Sequence, residues 1–247
     1  MSNESRCFAF VCAFLFLGAL TAGADTPVTC NQTDEILTEL RQLRALIEKQ
    51  TNTQARPLPA PTRAATSINV GAAPFLGEKD APLTIVEFTD FQCPYCNQFF
   101  GSTFPDLKKN YIDSGKVRFY SMDLPLDMHP NALRAAQAGR CAGEQGQFWP
   151  MHDRMQGNPA RLEFANLVGY AEESGINVET FRQCVESEKY KSAVQQEARE
   201  ATSKGARGTP AFVIGRSTPT GVEGELMVGT QPYSTFDEKL KAIALSK

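Results

Sequence analysis

The sequence predicts an α/β domain with mixed strand pairing. Three observations predict it: a strand-like run turns at once into a helix at Cys93-Pro94-Tyr95-Cys96, a long helical block follows the next strand, and a strand pair and a helix close the chain. A chain of 247 residues can bury a substantial core. Hydrophobic content of 42% with 21% charge describes an ordinary globular composition. A net charge of −3 offers none of the basic surface that nucleic-acid binding requires, so nucleic acid is not an expected partner.

The elements follow in chain order. Arg6 precedes an apolar run from Cys7 to Leu20, and Thr21-Ala22-Gly23-Ala24 supplies a small-residue end. That layout predicts a secretory signal peptide over 1–24, and hence an exported, periplasmic or cell-envelope protein. The 14-residue run is short for a membrane span; an uncleaved anchor is the alternative. Residues 34–50 read as a helix with Thr33 or Asp34 as N-cap. Ile36, Leu40, Leu43 and Ile47 fall at spacings of 4, 3 and 4, the alternation of a coiled-coil seam. The stripe serves either a homo-oligomer or docking on its own domain. A linker over 51–66, with Pro57, Pro59 and Pro61, makes a semi-rigid spacer and favours the oligomer.

The main domain is expected over 67–247. Leu83–Thr89 reads as a strand, 93–113 as one helix with Gly115 past its end, and 117–122 as the next strand. A helical insertion spans about 126–204, broken at 143–146, 157–159 and Gly175, with His129-Pro130 at its start. Strands over 210–214 and 224–228 and a helix over 236–245 complete the domain. Phe148-Trp149 and Met151-His152 read as packing within the helical block, or as the wall of a substrate groove.

A strand that turns into a helix at C-x-x-C puts the first thiol at a helix N-terminus. Unpaired backbone N–H groups and the positive end of the dipole favour a thiolate there. A thiolate is the nucleophile of thiol–disulfide exchange. A zinc site would need two further ligands, yet there is no second C-x-x-C, and His129 and His152 stand alone. A redox dithiol with no metal or cofactor is the favoured reading. Of seven cysteines, Cys7 and Cys12 leave with the signal, so two pairs and one odd thiol remain. Cys141 and Cys184, both in helix-like segments, are the natural second pair, the alternative being two buried free thiols. Cys30 is the odd one and could cross-link subunits.

Two segments, Phe88-Thr89-Asp90-Phe91-Gln92-Cys93-Pro94-Tyr95-Cys96 and Gly205-Ala206-Arg207-Gly208-Thr209-Pro210-Ala211-Phe212-Val213-Ile214, resemble the thioredoxin-fold superfamily, most closely its DsbA-like branch of exported thiol–disulfide oxidoreductases. The resemblance covers residues 68–246 and implies a thioredoxin fold carrying an inserted helical subdomain. It implies that Cys93 is the nucleophilic, more exposed cysteine and Cys96 the resolving one. Pro210 matches the cis-proline facing the dithiol, and Thr209 the position that tunes redox properties and partner choice. Glu87 matches a buried carboxylate that relays a proton for Cys96; the alternative is an exposed strand-edge side chain. The strongest oxidants of the branch carry histidine after Pro94, where this chain has Tyr95. Cys93 is therefore expected to ionise below an ordinary thiol but above that extreme. The implied activity is forming or shuffling disulfides in cysteine-containing secreted proteins, with a membrane redox partner. An oligomeric periplasmic chaperone or scaffold with a non-essential dithiol is the rival.

Overall fold

A computed structural model describes residues 36–46 and 65–246, which fall in two separate units. In the first unit, α1 (36–46) carries Ile36, Leu37, Leu40, Leu43 and Leu46 as exposed side chains. The expected signal segment, Cys30, Ile47 and residues 51–64 of the linker lie outside the described residues. No described helix is long and apolar enough to cross a membrane.

The second unit is a six-stranded mixed sheet flanked by helices. Its strands are β1 (Thr66–Asn69), β2 (Phe75–Leu76), β3 (Leu83–Thr89), β4 (Val117–Asp123), β5 (Ala211–Thr218) and β6 (Gly221–Val228), in spatial order β1-β6-β5-β3-β4-β2. β3 pairs parallel with β4 and antiparallel with β5, which forms a hairpin with β6. β3 and β4 are buried at every position, because helices cover both faces of the sheet centre. Leu83 and Ile85 enter one core with Phe99, Phe119, Phe212 and Phe236, while Val86 and Phe88 enter another with Met122 and Ala201.

Several boundaries differ from the sequence reading. The linker was expected to run to residue 66, but Thr66 already pairs with Gly224 at the start of β1. β1 and β2 are only four and two residues long, too short for a strand signal of their own, and each pairs along the edge of a longer strand, β6 and β4. The helix expected over 93–113 is three pieces: α2 (Pro94–Ser102), α3 (Phe104–Leu107) and a π-helical turn over Lys108–Ile112. Pro105 has no N–H to give the Gly101 carbonyl, so the ladder breaks at Thr103. Gly115 follows with φ +72°, past the end of that turn.

The insertion is α4 (Ala132–Gly143), α5 (Phe148–Gln156), α6 (Phe164–Glu173), α7 (Val178–Glu186) and α8 (Lys191–Ser203). The break between α7 and α8 was not expected. It turns on Glu188 at φ 52°, a residue whose type gives no warning of left-handed backbone. β5 and β6 both run longer than predicted, since Gly215 and Gly224 face each other inside the hairpin rather than ending its strands. α9 (Tyr233–Leu245) covers the sheet through Phe236 and Leu240.

Candidate active site

β3 delivers the chain to the site, and the Asp90 side chain fixes the turn that follows. Its carboxylate accepts the Gln92 N–H at 2.8 Å and the Leu126 N–H at 2.8 Å, and lies 2.8 Å from His129 Nδ1. The Asp90 carbonyl accepts the Cys93 N–H at 3.0 Å, and its N–H points at Cys96 Sγ, 3.5 Å away. Cys93 is the N-cap of α2 with extended backbone (φ −75°, ψ 122°), and Pro94 takes the first helical position, where a missing N–H costs nothing.

Both cysteines of the turn are free thiols. Cys93 keeps 3% of its surface and Cys96 none, so Cys93 is the more exposed of the two and is itself roofed over. The roof is the loop before β5. The Thr209–Pro210 peptide is cis, and Cys93 Sγ lies 3.4 Å from the Thr209 carbonyl oxygen, to which it donates only in its protonated form. Tyr95 points outward at 61% exposure. Beside it a groove of about 520 Å³ is lined by Tyr95, Gln98, Thr103, Thr209, Thr230 and Gln231. Two bonds strap its far wall to α2: Thr230 Oγ1 donates to the Tyr95 carbonyl at 2.8 Å, and Thr103 Oγ1 to the Gln231 carbonyl at 2.9 Å.

The two sulfurs are driven apart electrostatically. Cys93 is pulled down to about 5, first by the hydrogen bond from the Cys96 thiol, against the opposing effect of burial. The Thr209 hydroxyl and the N–H groups of Cys96 and Tyr95 add to that pull. Among the described residues the buried Thr209 hydroxyl has no other partner, so its proton is available to the thiolate. Cys96 is pushed well above an ordinary thiol by burial, then by its bond to Cys93 and by the nearby Glu87. One sulfur is thus ionised at neutrality while its neighbour keeps a proton.

Glu87 lies in central β3, between Ser121 of β4 and Phe212 of β5, at 1% exposure. The strand-edge alternative therefore fails. Burial raises its carboxyl to about 8, the Thr89 hydroxyl works weakly the other way, and the charge of Cys93 adds to the rise. Neither carboxyl oxygen makes a hydrogen bond of ordinary geometry among the described residues.

Cys141 and Cys184 form a disulfide between α4 and α7, inside the core of the insertion. His129 does not open a helix; it sits in the turn ahead of α4 and braces Asp90. Among the described residues no three His, Cys, Asp or Glu side chains converge as a metal site requires. Sequence reasoning missed Asp90, Gln92, His129 and Thr230. Asp90 and Gln92 had a local signal, an Asx turn directly before the C-x-x-C. His129 and Thr230 had none, since each acts on a residue more than thirty positions away.

A family model described as thioredoxin matches residues 69–222. The chain is 31% identical over 148 residues to the probable disulfide bond formation protein D of Bacillus anthracis, covering 56% of this chain and 68% of that one. It is also 36% identical over 139 residues to the Na(+)/H(+) antiporter NhaA 3 of Salinispora tropica, covering 56% of this chain and 21% of the antiporter. The chain thus spans about a fifth of the length of that relative. The solved structure of Wolbachia pipientis alpha-DsbA1 superposes with a TM-score of 0.60 at 23% identity, covering 76% of this chain and 93% of that one.

Proposed function

From a chain that belongs to the thioredoxin family, in its DsbA-like branch, we propose an exported protein thiol–disulfide oxidoreductase that works through Cys93 and Cys96. One observation carries the reading. The Cys93 sulfur caps α2 opposite the Thr209 carbonyl and is held as a thiolate at neutral pH, while Cys96 behind it stays protonated.

In the oxidising direction a substrate thiolate attacks Cys93 of the Cys93–Cys96 disulfide. That bond breaks, a mixed disulfide forms through Cys93, and Cys96 leaves and takes up a proton. A second substrate thiolate then attacks the substrate sulfur, and Cys93 leaves as the stabilised thiolate. The reduced pair returns to the disulfide by passing its electrons to a membrane redox partner. In the shuffling direction the reduced Cys93 thiolate attacks a wrong disulfide, and Cys96 or a substrate thiol releases it. Glu87 takes or returns the Cys96 proton in either direction. Thr209 and Pro210 border the place where a substrate chain meets Cys93, and Pro94 and Tyr95 shape the turn. The partners are cysteine-containing secreted proteins. The exposed stripe of α1 supports a homo-oligomer through residues 34–50, and an oligomer favours shuffling.

The same stripe favours a second reading, an oligomeric chaperone that needs no dithiol. Refolding of a reduced, disulfide-containing protein separates the two. Under the oxidoreductase reading, Cys93→Ser abolishes the acceleration; if the variant matches wild type, the chaperone reading stands instead.

A further inference from the structure

Glu87 is sealed from solvent, so the proton it exchanges with Cys96 needs a way out. α5 packs alongside α2 in the opposite direction: Asn97 Nδ2 donates to the Gln156 carbonyl, and the Phe100 ring lies 4.8 Å from the His152 ring. Gln156 is therefore level with Cys96, and His152 one helical turn further along. Gln156 Nε2 donates to Thr89 Oγ1 at 3.1 Å, and Thr89 shares a strand face with Glu87. Ser121 stands opposite Glu87 on β4.

Along this lane the buried Glu87 Oε1 and Oε2, Ser121 Oγ, Gln156 Oε1 and His152 Nε2 make no hydrogen bond of ordinary geometry among the described residues, the Thr89 hydroxyl being the one hydrogen-bonding group that acts on Glu87. Buried polar atoms are almost always satisfied, and so many gathered in one lane is the arrangement that holds internal water. The rings of Phe91, Phe100, Phe148 and Trp149 wall His152 in. Its other nitrogen, Nδ1, lies 3.2 Å from Asp153 Oδ1, whose side chain is 59% exposed.

We propose that His152 passes protons between the buried Glu87 carboxyl and solvent at Asp153, with Gln156, Thr89 and Ser121 holding the water that links them. Imidazole suits the step, because one nitrogen can accept a proton while the other releases one. His152 touches no reacting atom. It acts through Glu87 and is a positioning residue for the proton.

The inference rests on the thiol–disulfide reading, and Ellman's reagent tests the two separately on the reduced full-length chain. Cys93 thiolate attacks the reagent and releases one thionitrobenzoate. Cys96 then attacks the Cys93 sulfur, the mixed disulfide breaks, Cys93–Cys96 forms, a second thionitrobenzoate leaves, and the Cys96 proton passes to Glu87. The second phase is the one missing from Cys96→Ser. If wild type shows no such phase, the oxidoreductase reading fails.

If wild type shows that phase, His152→Phe, which keeps a ring in the aromatic cage, is expected to slow it about tenfold. The pH profile of Cys93 alkylation stays unchanged, and His152→Phe has no further effect in a Glu87→Gln background. An unchanged second phase, or equal slowing with and without Glu87, overturns the relay. Should His152→Phe not fold, Asp153→Asn enters the same cycle: slowing that depends on Glu87 supports the relay, and no slowing or additive slowing overturns it.

Discussion

Cys93 and Cys96 are three residues apart, of one chemical type, and ionise on opposite sides of neutrality. The difference comes from position. Cys93 receives donors at a helix start, while Cys96 sits behind it in a dry interior beside Glu87. Glu87 makes the cost of that interior measurable. Its carboxyl titrates at about 8 in the folded chain against an ordinary 4.5. Between those values the folded state keeps a proton that the unfolded state has lost, so stability falls as pH rises through the window and levels off above it. Glu87→Gln removes that loss. The reduced variant should exceed wild type at pH 8 by on the order of 1–3 kcal/mol and show no gain at pH 4, as urea midpoints would report. Equal midpoints at pH 8 would show that the carboxylate is better solvated than its burial indicates. At this scale the C-x-x-C was legible because its chemistry is local. The Asp90–His129 brace was not, since folding alone brings β3's end to the loop before α4.

Elements register what single residues forbid. Gly215 and Gly224 face each other across the β5–β6 hairpin, where a Cβ on Gly215 would overlap the Glu223 carbonyl and reach within 2.5 Å of Gly224 Cα. The obstacle is backbone on both counts and cannot rotate away. Gly215→Ala should therefore cost about 3 kcal/mol in chemical denaturation; a loss below about 1 kcal/mol would mean the hairpin opens without strain. Read one-dimensionally, those glycines look like strand ends, which is why both strands were predicted short. α2 tells the converse story. Its start was legible from the C-x-x-C and from Pro94 in the first helical position, but the single helix read over 93–113 ran past its end, because α3 and the π-helical turn continue beyond the break at Pro105. The Cys141–Cys184 bridge ties α4 to α7 within a helical subdomain whose core is separate from the sheet's.

For the whole molecule, the question is what α1 does with five exposed apolar side chains. Five exposed aliphatics on one short helix are costly in water and gain most from a second copy of the same stripe. A chain beginning at residue 65 should therefore scatter light as a smaller species than the full chain; an unchanged mass would remove the oligomer. The sequence by itself determined the class of fold, the dithiol and its place at a helix start, because hydrophobic period and turn chemistry act over a few neighbouring residues. Only the tertiary structure decided that the nucleophile is roofed by Thr209, that Glu87 is buried beneath it, and that α5 supplies a histidine along the lane below. Those contacts join residues far apart in the chain, and burial, which sets their ionisation, is a property of the packed whole.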